Sequence, residues 1–333
     1  MKHRTFEDNT PAFFRKWQER YPRTFSYNAK SDQGRDIMFR TFHYTITDEQ
    51  AGQTIGEFLR SCGYSRHILT HLKQTQNGIL LDGCPTLTNH RLREGEHLSI
   101  RLEEAAPSAH IPPVSMELSI VYEDDDILVV NKPADTPIHP SFGNRENTLA
   151  NGIAWYYQQQ GIPFVYRCIN RLDRDTSGLL IIAKHVLSAA ILTDDMKHRR
   201  IHRTYLAIVE GNLKHPGTVE APIGRKEGSI LERCVDFERG ECAVTHYTPV
   251  SYHEKLNLTL LSLRLATGRT HQIRVHMNYL GHPVIGDYLY YPRRDFIKRQ
   301  ALHSWKLEFL HPITKERLTF EAPLPDDMLF IIQ

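Results

Sequence analysis

The sequence predicts an α+β protein in which a large C-terminal domain builds a mixed, largely antiparallel β-sheet flanked by helices. After residue 117, strand-like segments outnumber helical ones and do not alternate with them regularly, which argues against a doubly wound fold. The segment "RTYLAIVEG" (203–211) is apolar on both faces, as an interior strand is. The longer segment "HYTPVSYHEKLNLTLLSLRLATG" (246–268) has the alternation of a hairpin. A small α/β domain is expected before this sheet.

Length and composition are those of a globular protein with about two domains, since the chain has 333 residues. No apolar run approaches the ~20 residues of a membrane span, and the N-terminus lacks the apolar segment of a signal peptide. A cytoplasmic protein without a membrane partner is expected. The five cysteines form no C-x-x-C pair, which predicts neither a disulfide framework nor a thiolate zinc site.

Residues 1–40 form a basic extension, with nine Lys or Arg against five Asp or Glu. Within it, "TPAFFRKWQERYP" (10–22) predicts one short helix that begins near a proline and ends at another. The formal net charge is only +2, but "KHRRIHR" (197–203) is a second concentrated basic run. Such runs can neutralise phosphates, although a solvated helix face is the commoner explanation.

Residues 41–103 predict a helix-turn-helix followed by strands. Ile55, Phe58 and Leu59 mark one amphipathic helix, and Ser65 begins a second. The segments "NGILLDG" and "HLSIRL" read as strands. This order resembles the small RNA-binding domain typified by ribosomal small-subunit protein S-four. The resemblance implies that three basic residues line a nucleic-acid face: Arg60, Arg66 and Lys73. A packing domain with exposed bases is the alternative.

The segment 104–116 predicts a linker, because Pro and small polar residues interrupt any hydrophobic period. The larger domain, 117–333, contains an unusual juxtaposition at 169–184, "INRLDRDTSGLLIIAK". Here Arg171, Asp173 and Asp175 precede the apolar run 179–183, which reads as a buried strand. Two interpretations are open: a polar turn that feeds a core strand, or a catalytic carboxylate at the rim of a sheet.

Four motifs in order resemble the RluA family of pseudouridine synthases over 117–333. They are "NKPADTPIHP", "INRLDRDTSG", "RTYLAIVEG" and "LATGRTHQIRVHMNYLGHPVIGD". The resemblance implies isomerisation of uridine to pseudouridine in RNA, without a metal or organic cofactor and without an obligatory protein partner. Members with an N-terminal RNA-binding domain often act on large-subunit ribosomal RNA, which is the expected substrate; transfer RNA is the alternative.

The resemblance also implies the roles of individual residues. Asp173 matches the catalytic aspartate, which either attacks the anomeric carbon of the ribose or abstracts a ribose proton. Arg274 matches its ion-pair partner, and Tyr205 matches the tyrosine whose ring stacks on the uracil. Arg171 matches the arginine that fills the gap left by the flipped uridine. Lys132 and Arg269 are expected to contact the substrate RNA.

Two positions depart from the family pattern: Asn170 replaces the usual His, and Asp135 replaces the usual Gly. Two other functions remain open. A non-catalytic RNA-binding protein could keep the basic surface, and a glycoside hydrolase could pair Asp173 with Asp175. A metal site is not expected, because His271 and His276 are five residues apart and miss the spacing that places two imidazoles on one helix face.

Overall fold

The computed structural model describes residues 29–30, 36–37, 39–104, 110–141, 143–291, 293 and 295–333, with side chains from residue 39 onward. The predicted helix within 10–22 lies outside the described residues. The chain divides into two compact units, Met1–Ala105 and Ala106–Gln333. No helix among the described residues is both long enough and apolar enough to cross a membrane.

The first unit contains two helices and a small antiparallel sheet. The helices are α1 (Ile55–Ser61) and α2 (Arg66–Leu72). The strands are β1 (Ala29–Lys30), β2 (Asp36–Ile37), β3 (Phe39–Thr45), β4 (Ile79–Leu81), β5 (Cys84–Pro85) and β6 (His97–Glu103). Four of them form a sheet in the order β3-β6-β4-β5, and β1 pairs with β2.

Local capping begins both helices where the sequence predicts. The Thr54 hydroxyl accepts the Glu57 N–H, and the Glu57 carboxylate accepts the Thr54 N–H in return, a capping box that begins α1. Ser65 caps α2 by accepting the Ile68 N–H. The predicted apolar faces are buried. The expected helix-turn-helix and both following strands are therefore confirmed.

The second unit is built on one nine-stranded sheet in the order β11-β14-β15-β10-β16-β9-β8-β7, with β17 paired to β16. Its strands are β7 (Ile120–Glu123), β8 (Ile127–Lys132), β9 (Ser177–Ala183), β10 (His202–Glu210), β11 (Gly217–Glu220), β14 (Val244–His253), β15 (Leu258–Leu265), β16 (Leu302–Leu310) and β17 (Arg317–Glu321). A separate hairpin joins β12 (Ile223–Arg225) to β13 (Arg233–Val235).

The pair β9–β16 is parallel, whereas the other described pairs of the large sheet are antiparallel. The helices of this unit are α3 (Leu149–Gln159), α4 (Val186–Lys197), α5 (Gln272–Tyr279) and α6 (Asp326–Ile332). One apolar core joins α3 to β8 and β9, and another joins α5 and α6 to β10 and β15. The predicted α+β class, with a mixed and largely antiparallel sheet, is confirmed.

The start of β9 explains the juxtaposition in "INRLDRDTSGLLIIAK". Every residue of β9 is buried, and the charged residues precede it as a loop at the strand's N-terminal end. Gly178 has a φ of 115°, and a Cβ there would collide with the main chain of Ser304 on β16. Only glycine therefore lets β9 approach β16 this closely.

We predict that Gly178→Ala lowers the free energy of unfolding by about 3 kcal/mol, because it adds both backbone strain and a collision with β16. Gly161→Ala is the matched control, since Gly161 also has a positive φ of 69° but no atom within 4 Å of the added Cβ. The control should lose only about 1 to 2 kcal/mol in urea unfolding. Equal losses would contradict the close approach.

Candidate active site

The loop before β9 brings Asp173 against Arg274, 101 positions away in the chain. Nη1 of Arg274 donates to Oδ2 of Asp173 at 2.9 Å. Arg274 lies in the first turn of α5 and its side chain is only 2% exposed, whereas the Asp173 side chain is 28% exposed. The guanidinium is therefore buried below a carboxylate that still reaches solvent.

A second carboxylate, Asp287, holds the other side of Arg274. Nε and Nη2 of Arg274 donate to the two Asp287 oxygens at 2.6 and 2.8 Å. Asp287 is 0% exposed. Burial alone would lower the pKa of Arg274, but hydrogen bonds to Asp287 and the charges of Asp173 and Asp287 outweigh it and raise that pKa. Sequence reasoning missed Asp287, although it ends the motif "GHPVIGD".

Two tyrosines and a histidine complete the surroundings of this ion pair. The guanidinium carbon of Arg274 lies 5.9 Å from the ring centroid of Tyr288 and 5.1 Å from that of Tyr290. The Tyr290 hydroxyl accepts the Arg233 N–H at 2.8 Å and lies 2.9 Å from Nδ1 of His271. Burial raises the pKa of Tyr290 to about 12, so the phenol keeps its proton at neutral pH.

These contacts permit a tautomer of His271 in which Nδ1 is the acceptor. Because the Tyr290 oxygen already accepts the Arg233 N–H, its own proton is available to Nδ1 of His271. The imidazole then carries its proton on Nε2, which lies 3.8 Å from Oδ2 of Asp173, too far for a hydrogen bond. Burial lowers the pKa of His271 and favours the neutral ring. In this tautomer, a neutral N–H of His271, the residue before α5, faces the Asp173 carboxylate.

Tyr205 lines the same cavity as Asp173 and Arg274, which has a volume of about 870 Å³. The residue belongs to β10 and is 4% exposed. Strands β15 and β16 hold its backbone on both sides, through pairing with Leu263 and Ser304. Its hydroxyl makes no hydrogen bond to any described residue. The structure therefore gathers the three expected catalytic residues around one cavity.

The loop that carries Asp173 is fastened to β9 through the side chain of Asn170. The amide of Asn170 donates to the Leu179 carbonyl at 3.2 Å and accepts the Ile181 N–H at 2.9 Å. Asn170 is 1% exposed, so this departure from the family pattern is a buried link to β9. At the other departure, Asp135 has a φ of 53°, a left-handed conformation that Asp tolerates better than most residues.

Lys132, which was expected to contact RNA, is placed by the structure in the core, where it fastens the same loop. Lys132 is 1% exposed, and Nζ donates to the carbonyls of Pro133 and Arg174, both at 2.8 Å. Burial lowers its pKa to about 7. The side chain lies within the core and positions the loop from below, so it presents no charge to a ligand in the cavity.

Arg171 and Arg269, which were also expected to contact RNA, differ in whether they form an ion pair. Arg171 is exposed at the cavity and makes no ion pair within the described residues. The nearby carboxylate of Asp175 accepts from Nε and Nη2 of Arg174, both at 3.0 Å, and not from Arg171. Arg269 pairs with the Glu241 carboxylate and is not available as a second cation for Asp173.

In the first unit, the three expected RNA-contact residues are all exposed. Arg60 lies on α1. Arg66 and Lys73 are seven positions apart, which places them on the same side of α2 and its C-cap. None of the three makes an ion pair within the residues the structure describes.

One buried cluster has the residue types of a metal site: Asp124, Asp126 and His311. Nδ1 of His311 accepts the N–H groups of Ile313 and Thr314 at 3.3 and 3.0 Å, which leaves the ring proton on Nε2. That nitrogen lies 2.9 Å from Oδ2 of Asp124. A protonated nitrogen has no lone pair for a metal, so the contacts fit a buried polar cluster in which Nε2 of His311 lies close to Asp124 without a hydrogen bond of good geometry.

His276, which the sequence analysis considered only as a metal ligand, is buried on α5. It is 0% exposed. Its Nδ1 lies 2.8 Å from the Thr245 hydroxyl, and its Nε2 lies 2.9 Å from the Ala221 carbonyl. Both ring nitrogens are therefore used in packing α5 against its neighbours.

Comparison with known proteins gives the family. The model of the RNA pseudouridylate synthase family matches residues 126–279. The uncharacterized RNA pseudouridine synthase YjbO of Bacillus subtilis (strain 168) is 41% identical over 281 residues, which cover 84% of this chain and 98% of the relative. The chain belongs to the RNA pseudouridylate synthase family.

Further relatives agree with this membership. Ribosomal large subunit pseudouridine synthase D of Haemophilus influenzae is 36% identical over 310 residues, which cover 88% of this chain and 94% of the relative. The solved structure of human RNA pseudouridylate synthase domain containing 1 aligns with a TM-score of 0.53 at 30% identity. That alignment covers 64% of this chain and 85% of the human one. The chain is an RNA pseudouridine synthase, and a purely RNA-binding function is not favoured.

We predict that Arg274→Leu lowers the free energy of unfolding by about 3 to 5 kcal/mol, because it leaves the buried charge of Asp287 uncompensated. The double variant Arg274→Leu/Asp287→Leu should recover most of this loss in urea unfolding, since no buried charge remains. Neither variant should form pseudouridine. A single variant as stable as the unaltered protein would mean that Asp287 does not depend on Arg274.

Proposed function

We propose that this synthase isomerises one or more uridines of large-subunit ribosomal RNA to pseudouridine. Relatives named ribosomal large subunit pseudouridine synthase D support this RNA over transfer RNA, because they align with most of the chain. A ribosomal RNA substrate also fits the cytoplasmic location expected from the sequence.

The observation that carries the proposed mechanism is the ion pair between Asp173 and Arg274 at one cavity with Tyr205. Asp173 and Arg274 both line the cavity, but only the Asp173 side chain is substantially exposed, at 28% against 2% for Arg274, and Asp287 is buried behind them. This arrangement supports Asp173 as the reacting group and Arg274 as the cation that stabilises its negative charge. Asp287 then acts as a positioning residue, since it contacts Arg274 and not the cavity.

In the reaction, the bond between ribose C1′ and uracil N1 breaks, and the uracil turns within the cavity. Its C5 then bonds to C1′, and the proton lost from C5 is balanced by the proton gained at N1. Asp173 begins this sequence by attack at C1′ or by removal of a ribose proton, and both routes start from the same ionised carboxylate.

Tyr205 would contact the uracil of the flipped nucleotide, and Arg171 would fill the space that this nucleotide leaves in the RNA. The Tyr205 ring is fixed by strands on both sides and offers a flat apolar surface to the uracil. Arg171 is exposed two residues before Asp173, which suits a planar cation that fills the space the uridine leaves.

The structure does not favour a glycoside hydrolase, because Asp175 is not available as the second catalytic carboxylate. Asp175 is 9% exposed, and both of its oxygens accept from Arg174. Asp173 and Asp175 therefore do not act as two free carboxylates that flank one sugar.

We propose that the chain contains an RNA-binding domain at 41–103, a linker at 104–116 and a catalytic domain at 117–333. The exposed and unpaired cations of α1 and α2 support an electrostatic contribution to RNA affinity. Every residue proposed to act in the chemistry lies in the second unit.

Mapping of pseudouridine across all cellular RNA, with and without the gene, tests the substrate. Sites in large-subunit ribosomal RNA should disappear without the gene and return when it is restored. Loss of sites in transfer RNA alone would refute the proposed substrate.

We predict that Asp173→Asn abolishes pseudouridine formation but leaves RNA binding intact, because the substitution keeps the volume and removes the reacting charge. Asp135→Asn is the control, since Asp135 lies near the same loop with an 86% exposed side chain. Primer extension after carbodiimide treatment measures the product. Turnover by Asp173→Asn at the rate of the control would exclude the assignment.

We predict that replacing Arg60, Arg66 and Lys73 together with Gln weakens RNA binding and makes its salt dependence shallower. Each lost phosphate contact lowers the slope of log affinity on log salt by about 0.7 to 0.9. The rate at saturating RNA should not change, because these residues lie outside the catalytic unit. An unchanged slope would favour a packing role for the first unit.

A further inference from the structure

Five cations around the catalytic cavity have no ion-pair partner within the described residues: Arg171, Lys197, Arg199, Arg203 and Arg264. Among the described residues that line this cavity, Asp173 is the only carboxylate, and it is already paired with Arg274. The cavity is therefore strongly positive, although the whole chain has a formal net charge of only +2. Such a concentration of charge attracts a polyanion.

Arg203 differs from the other four because it is partly buried. It lies two residues before Tyr205 on β10, and both residues line the cavity. Its Nε is buried and has no hydrogen-bond partner. A desolvated cation with an unpaired donor costs free energy, and a negative charge beside the rest of the guanidinium would offset part of this cost.

The guanidinium of Arg203 lies against the backbone of Gly268, where an added Cβ would be 3.4 Å from Nη2. Gly268 begins the segment that leads to His271 and α5. Arg203 thus occupies the space between the Tyr205 strand and the segment before Arg274. A phosphate bound there would lie beside the nucleotide whose base contacts Tyr205.

The remaining four cations are exposed. A basic residue in the same stretch of sequence need not be free, as Arg200 shows. Arg200 lies in the same run "KHRRIHR" as Arg199 and Arg203, yet it bonds to Asp194 and Asp195, both at 2.5 Å. The fold thus neutralises Arg200 and leaves Arg199 and Arg203 available at the cavity.

We propose that Arg203 and the four exposed cations form a phosphate-binding rim for the RNA strand that carries the target uridine, with Arg203 on the phosphate nearest that uridine. This inference rests on the proposed function. The ligand is the sugar-phosphate backbone of unpaired RNA, because the flipped nucleotide has left its helix. A guanidinium suits this role, since its planar fork donates two parallel hydrogen bonds to one phosphate.

The test measures binding of a fluorescein-labelled oligouridylate to the full chain over a range of salt concentrations. Arg203→Gln should bind several-fold more weakly, and its slope of log affinity on log salt should be shallower by about 0.7, the value for one contact to single-stranded nucleic acid. Arg200→Gln is the matched control and should retain both the affinity and the slope. Arg199→Gln changes an exposed side chain and does not disturb packing. Its slope of log affinity on log salt should become shallower by the same amount as that of Arg203→Gln.

Arg203→Lys separates charge from geometry. It should keep most of the salt slope but not the full affinity, because a lysine lacks the planar fork. Slopes of Arg203→Gln and Arg199→Gln equal to that of Arg200→Gln would overturn the proposal.

The substrate assay distinguishes this inference from the proposed function. If the unaltered protein binds oligouridylate through Arg203 but forms no pseudouridine in large-subunit ribosomal RNA, the proposed substrate fails and the rim stands. If it modifies that RNA while Arg203→Gln changes neither slope nor KM, the rim fails and the proposed function stands.

Discussion

One buried guanidinium, that of Arg274, organises the catalytic unit. It is shared by two carboxylates, and a buried cation with good geometry to both is stable where an unpaired one is not. Asp287 is fully buried and accepts from Nε and Nη2 of Arg274, so Nη1 is left to donate to Asp173, the one carboxylate of the two that lines the cavity. The position of the reacting carboxylate thus follows from how Asp287 holds its partner.

The rest of the loop is held by contacts that leave its functional side chains unobstructed. Asn170 joins the loop to β9, and Lys132 binds the Arg174 carbonyl from the core. Gly178 lets the following strand approach β16. Because these contacts use the Asn170 side chain and the Arg174 carbonyl, the loop is fixed in position while the side chains of Arg171 and Asp173 line the cavity.

The charged residues of the catalytic unit form two groups: buried ion pairs around Arg274, and exposed cations at the cavity. The buried ion pairs around Arg274 are screened little by salt, whereas the exposed cations at the cavity are screened strongly. Affinity for RNA should therefore depend on salt far more than the geometry of the reacting group does. The first unit adds further exposed cations on α1 and α2, at a distance in sequence from every residue of the proposed chemistry.

The sequence alone determined features that depend on neighbours in the chain: the capped helices, the buried strand after the charged loop, the α+β class and the family with its candidate residues. These follow from local periodicity, capping and ordered motifs. Only the tertiary structure decided that Asp287 supports Arg274, that Lys132 and His276 are buried, and that Arg200 is neutralised while Arg203 is not. The physical reason is that burial and ion pairing depend on which distant segments meet, and neither residue type nor spacing along the chain specifies that.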